Sequence, residues 1–289
     1  MRKVYEVAGF KFAVEMPDNA AEWSELAHYE PFLSEDSGTM VFVAELVEKM
    51  PDMSGKQLVT ASCIAKDQPR IELYELDGQW LMEAAPDMDA PARVYLLTDK
   101  AFSKAQFRVL GSSRFSVNTV LMLMFALSTA CLDTLLMHAS VTMKDGKGYL
   151  FLGKSGTGKS THARLWLNYI EGTELVNDDN PVVSIGSDGR ATVHGSPWSG
   201  KTPCYRNVSY PLGGLVLLSQ APHNKIRRLK GIEAYAALIP SISGKRWDAH
   251  IADGLHQTED AMASHVPVWH LECLPDEEAA RVCQKEIER

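Results

Sequence analysis

The sequence predicts an α/β protein in which a smaller β-rich α+β domain precedes a larger domain built on a mixed sheet. Residues 1–110 contain short runs of alternating polar and apolar residues, separated by Pro, Gly and Asp. Two apolar strands, at 138–143 and 148–152, are joined by only four residues, which are too few for a parallel crossover. The second strand leads through a glycine-rich loop into an amphipathic helix that we expect to end near residue 171.

Composition limits the classes of function. The chain has 289 residues, of which 45% are hydrophobic and 23% charged, as in ordinary globular proteins. There are 37 acidic and 29 basic residues, for a net charge of −8, which argues against nucleic acids and anionic membranes as partners. A nucleotide needs only a local cationic pocket, so it stays open as a ligand.

Cysteine usage and the first residues indicate the compartment. The five cysteines are scattered and form no CxxC pair, which is typical of reduced thiols rather than of disulfides or a zinc site. The N-terminal residues alternate between polar and apolar, unlike the continuous apolar segment of a secretory signal. We therefore expect a cytoplasmic protein. The sequence leaves the oligomeric state open, including a homo-oligomer.

The first predicted domain, residues 1–111, consists mainly of short strands. Asp77-Gly78 has the signature of a tight hairpin turn. No cluster of metal ligands and no nucleophile–base pair is recognisable in it, so we expect a role in packing or in recognising a substrate or partner. The predicted strands are Val4–Val7, Met40–Leu46, Arg70–Leu76 and Ala92–Leu97.

The second predicted domain, residues 112–289, begins with an apolar segment that we interpret as a helix at about 116–136. Val117–Met137 is about long enough to span a membrane. It contains Asn118 and Asp133, so a buried helix is favoured over membrane insertion. The later predicted elements are a 182–185/191–194 hairpin, strands at 215–218 and 266–271, and helices at 231–240, 246–264 and from 275 onward.

The strongest motif is the segment Gly153–Ser160, GKSGTGKS, which matches GxxxxGK[ST] at every fixed position. Its glycines allow backbone N–H groups to surround phosphate oxygens, and the following helix adds the positive end of its dipole. Lys159 would reach the β- and γ-phosphates, and Ser160 would bind Mg²⁺. We expect ATP, or another nucleoside di- or triphosphate, with Mg²⁺. The predicted contacts are Gly153, Ser155, Gly156, Thr157, Gly158, Lys159, Ser160 and Thr161.

A pair of carboxylates, Asp178-Asp179, follows Gly153 after only 25 residues. One carboxylate could hold Mg²⁺ together with Ser160, and the other could orient or deprotonate an attacking hydroxyl. The sequence pattern does not assign either role to one particular aspartate. The alternative is a solvated Asp-Asp-Asn turn before Pro181.

The order of these features resembles a known family. A strand led by His138, a hairpin, the P-loop and then an aspartate pair stand in the same order in the catalytic domain of HPr kinase/phosphorylase. The nucleotide domain of ATP-dependent phosphoenolpyruvate carboxykinase is a more distant resemblance. The likeness covers about residues 138–186. It implies a P-loop kinase domain of the HPr kinase/phosphoenolpyruvate carboxykinase type.

The same resemblance implies roles for individual residues. His138 would lie beside the transferred phosphate and pair with a carboxylate. Asp178 would be the general base toward a substrate hydroxyl, and Asp179 would bind the metal with Ser160. The chain lacks the family's Pro-Gly-Arg-Asn loop and its glycine-rich signature associated with dephosphorylation. The resemblance therefore does not extend to HPr as the substrate.

The segment 194–202 is rich in Gly, Ser and Pro, which predicts a surface loop. Lys201 and, just beyond it, Arg206 are the nearest cations in the sequence that could bind an anionic substrate or neutralise charge in a transition state. The alternative is that both are solvated.

The sequence therefore predicts a Mg-ATP-dependent kinase that transfers a nucleotide phosphate to a serine-like hydroxyl on a protein, peptide or small molecule. A second hypothesis is a nucleotide-binding regulatory module of the same fold without efficient transfer. A third is a P-loop ATPase coupled to motion. That class needs a distant apolar strand ending in Asp-Glu, and the sequence has none.

Overall fold

The computed structural model describes residues 1–62, 70–111, 116–200, 202–244 and 246–289. The chain forms two compact units. The first comprises Met1–Thr129 with Arg246–Ala249, and the second comprises residues 130–245 and 250–289. The division thus follows Thr129, whereas the sequence places a domain boundary before residue 112.

The first unit is a nine-stranded mixed sheet in the order β3-β1-β2-β4-β9-β8-β7-β6-β5. The pairs β2–β4 and β4–β9 are parallel, and the others are antiparallel. A 3₁₀ helix (Ala21–Phe32) and α1 (Val117–Ser128) complete it. Its strands are β1 (Arg2–Val7), β2 (Phe10–Glu15), β3 (Leu33–Ser34), β4 (Met40–Leu46), β5 (Gln57–Ser62), β6 (Arg70–Leu76), β7 (Gln79–Ala85), β8 (Val94–Thr98) and β9 (Lys104–Val109).

Helix α1 is shorter than the sequence predicts. It begins after Ser116, whose Oγ accepts the backbone N–H of Asn118 at 3.2 Å, and it ends at Ser128. Thr134–Met137 is then a fully buried strand, β10. The predicted helix to residue 136 is wrong because a continuous apolar run does not distinguish a buried helix from a buried strand. Among the described residues, no helix is long and apolar enough to cross a membrane.

The second unit is built on a larger mixed sheet, in the order β13-β11-β12-β16-β15-β14-β10-β18, with β19 beside β16 and β17 beside β19. Its further strands are β11 (Ala139–Lys144), β12 (Lys147–Leu152), β13 (Glu174–Asp179), β14 (Val182–Ile185), β15 (Ala191–His194), β16 (Ser209–Gln220), β17 (Lys225–Leu229), β18 (Ile242–Ser243) and β19 (Val268–Cys273). The helices are α2 (Lys159–Tyr169), α3 (Ile232–Leu238), a 3₁₀ turn (Ile239–Ser241), α4 (Ala249–His265) and α5 (Glu277–Ile287).

The hairpin of β11 and β12 is antiparallel, as its four-residue connection predicts. Asp145 and Gly146 form its turn with φ of 50° and 72°, the left-handed conformation that a two-residue hairpin loop requires. The pairs β12–β16 and β16–β19 are parallel, so the predicted mixed sheet is confirmed. Since β13 is antiparallel to β11, it runs in the same direction as β12.

Helices α2 and α5 pack together over this sheet. Trp166 of α2 is fully buried and lies against the rings of Tyr149 and Phe151, with centroid distances of 5.6 and 5.4 Å. Ala280 and Cys283 of α5 belong to the same core. This packing fixes the start of α2 above the end of β12, where the glycine-rich loop lies.

Candidate active site

Glycines leave the backbone of the loop between β12 and α2 accessible. Gly153, Gly156 and Gly158 have φ of 147°, 82° and 112°, all in the region that disfavours residues with a Cβ. A Cβ on Gly153 would also lie 3.1 Å from the side chain of Thr157. Helix α2 begins directly after Gly158. The predicted strand–loop–helix arrangement is therefore present.

Lys159 folds back over this loop. Its Nζ donates to the carbonyl oxygen of Gly153 at 2.9 Å, and only 8% of the residue is exposed. Burial lowers the pKa of the Lys159 ammonium, while the charges of Asp179 and Asp178 oppose that shift. The ammonium group of Lys159 thus lies within electrostatic range of both carboxylates.

Hydrogen bonds hold the loop in shape. The backbone N–H and the hydroxyl of Thr157 both donate to the carbonyl of Lys154, at 3.1 and 2.7 Å. From the end of β16, Gln220 Nε2 donates to the carbonyls of Gly156 and Thr157 at 3.2 and 3.5 Å. Sequence reasoning missed Gln220. Its position at the carboxyl end of a strand parallel to β12 is the signal that could have found it.

The other predicted contacts lie in the same loop and first helical turn. Ser155 is exposed at the top of the loop, and Ser160 and Thr161 are partly buried in the first turn of α2.

Asp178 lies in the sheet and not in a solvated turn. It pairs with Ser140 of β11 in the strand register, and only 3% of it is exposed. The Ser140 hydroxyl donates to Asp178 Oδ1 at 2.5 Å. Ser140 also pairs with Phe151 of β12, so Asp178 and Phe151 share one row across three strands. Neighbouring strands are about 4.8 Å apart, which places Asp178 roughly 10 Å from the strand that leads into the loop.

Asp179, the last residue of β13, has different surroundings. Its side chain is 37% exposed, and its Oδ1 lies 3.2 Å from His138 Nε2. Its Oδ2 accepts a hydrogen bond from Asn180 Nδ2 at 2.9 Å. The sequence places His138 in the strand, but the residue lies just before β11, where its backbone N–H donates to the carbonyl of Ser241 at 2.6 Å.

The side chain of Asn177 holds the backbone that follows it, at the aspartate pair, through hydrogen bonds. It is fully buried, and its Oδ1 accepts the backbone N–H groups of Asp179 and Asn180 at 3.1 and 2.9 Å. Its Nδ2 donates to Ser196 Oγ at 3.1 Å. Sequence reasoning missed this residue because an Asn before two Asp residues is also typical of a solvated turn.

The predicted surface loop at 194–202 is largely buried. His194 is the last residue of β15, and residues 195–198 are buried, including Ser196 at 0% and Trp198 at 1% exposure. Gly200 donates its N–H to the carbonyl of Asp178 at 2.5 Å. The prediction is wrong because the Gly, Ser and Pro residues of this segment allow it to pack closely against the aspartate pair, and most of the segment does not face water.

Of the two predicted cations, Arg206 is not brought to this edge. Arg206 donates to the carbonyl of Leu175 at 2.7 Å and to Glu174 Oε2 at 2.8 Å. Glu174 begins β13, and the aspartates end it, about 16 Å away at 3.3 Å per residue. Lys201 lies outside the described residues.

A cavity of about 680 Å³ adjoins the loop, at the carboxyl ends of the parallel strands β12, β16 and β19. Its walls are mostly apolar and come from the glycine-rich loop, from α2, and from the ends of β16 and β19 with the residues that follow them. They include Thr161, His162, Leu165, Leu218, Pro222 and Pro275. Another cavity, of about 710 Å³, is lined by Leu229 and Val266, at the amino end of β19, and therefore lies at the opposite edge of the sheet.

Comparison with known proteins gives a family for the chain. Residues 112–273, more than half of the sequence, match the family described as SynChlorMet cassette protein ScmC. The chain belongs to this family. It is a different family from HPr kinase/phosphorylase, which the sequence resembles at 138–186. The match includes the glycine-rich loop, the aspartate pair and the residues that line the adjoining cavity up to Cys273.

Among solved structures, the chain is similar to the Hpr(Ser) kinase/phosphatase from Coxiella burnetii. The identity is 14% and the TM-score 0.30, over 53% of this chain and 99% of that chain. A TM-score this low carries no inference about function. No curated protein matches the chain.

Proposed function

We propose that this protein is a phosphotransferase that binds a nucleoside triphosphate at the P-loop and transfers its γ-phosphoryl group to a hydroxyl acceptor. One observation carries the proposal. Lys159, the aspartate pair and His138 all lie at the edge of the sheet where β12 and β13 end. A P-loop that only bound a nucleotide would not need a buried carboxylate and a His–Asp pair beside it.

The chain's residues divide the work of the transfer. Lys159 and the backbone N–H groups of the loop bind the β- and γ-phosphates and stabilise the charge that develops on them. Asp178 accepts the proton of the acceptor hydroxyl while the hydroxyl oxygen forms a bond to the γ-phosphorus. The bond from that phosphorus to the β-phosphate oxygen breaks, and the nucleoside diphosphate leaves. Ser140 fixes Asp178 in the orientation for this step.

The residues present suit Mg²⁺. Ser160 and Asp179 offer a hydroxyl and a carboxylate, the hard oxygen ligands that this ion prefers. No group of three or more His, Cys, Asp or Glu residues that could hold a metal ion occurs in the described part of the chain. This agrees with an ion held by one or two protein oxygens together with nucleotide phosphates. When bound, Mg²⁺ would neutralise charge on those phosphates.

The adjoining cavity is placed to hold the nucleoside. Gly156, Thr157 and Gly158 of the loop form part of its wall, so phosphates on the loop would lead directly into it. Its volume of about 680 Å³ lies within the usual range of ligand pockets, which is about 300 to 1,000 Å³. Apolar walls with few polar groups are typical of sites that bury a flat ring.

The test is transfer of label from γ-labelled ATP with Mg²⁺ to free serine, small hydroxyl compounds and the proteins of a cell lysate. We expect wild-type protein to label an acceptor and Lys159→Ala to lose both labelling and Mg-ATP binding. The matched control is Lys154→Ala, an exposed lysine of the same loop at a variable motif position. It should bind and transfer like wild type.

Two results would contradict this proposal. Wild-type affinity for Mg-ATP in Lys159→Ala would remove the P-loop assignment itself. Tight, Lys159-dependent binding with no labelled acceptor would favour the regulatory nucleotide-binding module.

A further inference from the structure

β17 is the last strand along one side of the larger sheet. In the described part of the chain it pairs with β19 alone, in an antiparallel ladder from Lys225 to Leu229. The last strand of such a ladder points the N–H and C=O groups of every second residue away from the sheet. Lys225, Arg227 and Arg228 are exposed, and so is Lys230 just after the strand. The outer side of β17 therefore combines unpaired backbone groups with cations.

These cations differ in whether the chain already neutralises them. Arg227 donates to both carboxylate oxygens of Glu233, at 2.9 and 3.1 Å. Arg228 stacks on the ring of Trp269, with its Cζ 4.5 Å from the ring centroid, so the N–H groups around its guanidinium plane can still donate. Neither Arg228 nor Lys230 forms a salt bridge with a described residue. These two cations are available to an anionic partner.

The cavity of about 710 Å³ lies at the end of β17, and Arg228 and Lys230 line it. Its apolar wall residues include Leu229, Ile232 and Val266. Ile232 is 78% exposed, so the cavity presents a large apolar side chain to water. Among the described residues of the wall, Asp260 is the only acidic one. Its charge disfavours a second carboxylate there, so the interior of the cavity suits an apolar side chain.

We infer that the outer side of β17 docks an extended, acidic segment of a partner protein. The segment adds a strand to the sheet beside β17 and places carboxylates on Arg228 and Lys230. One of its apolar side chains enters the cavity at the end of the strand. This inference concerns binding alone, and it requires neither a nucleotide nor phosphoryl transfer.

Charge selects this occupant over the others that the outer side of β17 could meet. A second copy of β17 would bring like charges together, which disfavours pairing between copies. A nucleic acid or an anionic membrane would meet the cations but would leave the backbone groups unpaired, and the chain's net charge of −8 opposes both. An acidic strand satisfies the backbone groups and the cations together.

The experiment measures binding of labelled peptides to the full chain, without nucleotide, by fluorescence anisotropy. The first probe alternates Glu and Val and ends in Phe. A second probe has Lys in place of Glu. A third is the Glu probe methylated on every backbone nitrogen, which keeps the charges but cannot donate to a strand. We expect saturable binding of the Glu probe, binding at least about tenfold weaker for its methylated form, and none that saturates for the Lys probe.

The double variant Arg228→Gln, Lys230→Gln removes the two available cations. We expect it to bind the Glu probe about tenfold more weakly than wild type. The matched control is Lys49→Gln, Lys285→Gln, which changes the net charge equally at two exposed lysines outside β17 and should bind like wild type. Ile232→Ser should reduce the preference of the chain for the Glu probe over the same peptide ending in Ser.

Three results would overturn the inference. They are no saturable binding of the Glu probe, equal affinity for its methylated form, and an equal loss of affinity in the control variant. Tighter binding of single-stranded RNA or of phosphatidylserine vesicles, lost in Arg228→Gln, Lys230→Gln, would also overturn it and assign the cations to that ligand. A chain that binds the Glu probe but no Mg-ATP would keep this inference and contradict the proposed function.

Discussion

At the scale of single residues, the two aspartates are neighbours in the sequence but have different surroundings. Asp178 is buried and accepts a hydrogen bond from Ser140, whereas Asp179 is partly exposed and lies beside His138. A strand places successive side chains on opposite faces of the sheet, so two adjacent carboxylates can serve separate roles. This difference underlies the proposed division into a base and a metal ligand.

The roles predict different losses. Asp178→Asn keeps the shape of the side chain but cannot accept the acceptor's proton. We expect single-turnover transfer to fall at least about 100-fold, with Mg-ATP affinity nearly unchanged. Asp179→Asn removes the charge that would face the proposed metal ion, so it should raise the Mg²⁺ concentration required for half-maximal rate and also lower the rate. His138→Ala should lower the transfer rate by an amount between the losses caused by the two aspartate variants.

Mg²⁺ titrations of single-turnover transfer, with calorimetry of Mg-ATP binding, check this division. If Asp178→Asn raised the Mg²⁺ requirement and Asp179→Asn left it unchanged, the two roles would have to be exchanged. Wild-type rates in both variants would exclude the pair from the chemistry.

At the scale of elements, local turn chemistry was predictable and long apolar runs were not. Asp77-Gly78 and Asp145-Gly146 both form hairpin turns where the sequence predicts them, because positive φ at two successive positions selects such pairs. Residues 134–136 were predicted as helix and lie in the strand β10. Leu135, Leu136 and Met137 are all apolar, so this short run reveals neither a period of two nor one of 3.6.

The candidate site, too, could be predicted from the sequence only in part. The strand–loop–helix arrangement around 153–160 could be predicted because the motif fixes the spacing of its glycines and the start of the helix. The support of the aspartate pair by Asn177 and by residues 195–200 could not be predicted, since those contacts join segments about 20 residues apart, in part through backbone carbonyls. A sequence pattern records side-chain type and does not record such backbone pairing.

Gly200 provides a test at this scale. A Cβ there would lie 2.7 Å from the carbonyl oxygen of Asp178 and 3.1 Å from Asp179 Cβ, so Gly200→Ala must displace the end of β13 by a few tenths of an ångström. We expect transfer to fall about tenfold or more, because small misplacements of reacting groups are costly. Mg-ATP affinity should change little, because the P-loop is untouched.

The control is Gly55→Ala, where an added methyl group meets no atom within 4 Å. It should transfer at the wild-type rate. Equal rates in Gly200→Ala and wild type would mean that the position of β13's end does not limit the chemistry.

At the scale of the whole molecule, the order of elements was largely predictable and their pairing was not. The hairpins at β11–β12 and β14–β15 follow from short connections. The pairing of β10 with β14 and β18, and of β17 with β19, joins strands distant in the sequence. Similarly, the contacts of α1 with β4 and β9 place it in the first unit, although the family match begins at residue 112.

The pH dependence of stability is a property of the whole molecule that follows from buried histidines. Burial lowers the pKa of both His162 and His194 from the usual 6.5 to about 4. Between these values the unfolded chain binds a proton at each site and the folded chain does not. Stability is therefore retained above pH 6.5 and is lost as the pH falls toward 4.

His162→Phe isolates one of these sites. On lowering the pH from 7.5 to 5, we expect wild type to lose about 2 kcal/mol more free energy of unfolding than the variant. His194 titrates in both proteins, so its contribution cancels in the difference. The variant also leaves Trp166 Nε1 without its acceptor, a cost that is the same at both pH values. Urea titrations at the two pH values measure the difference. A difference that does not change with pH would show that His162 takes up a proton as readily in the folded chain as in the unfolded one, and that its ring is not held neutral.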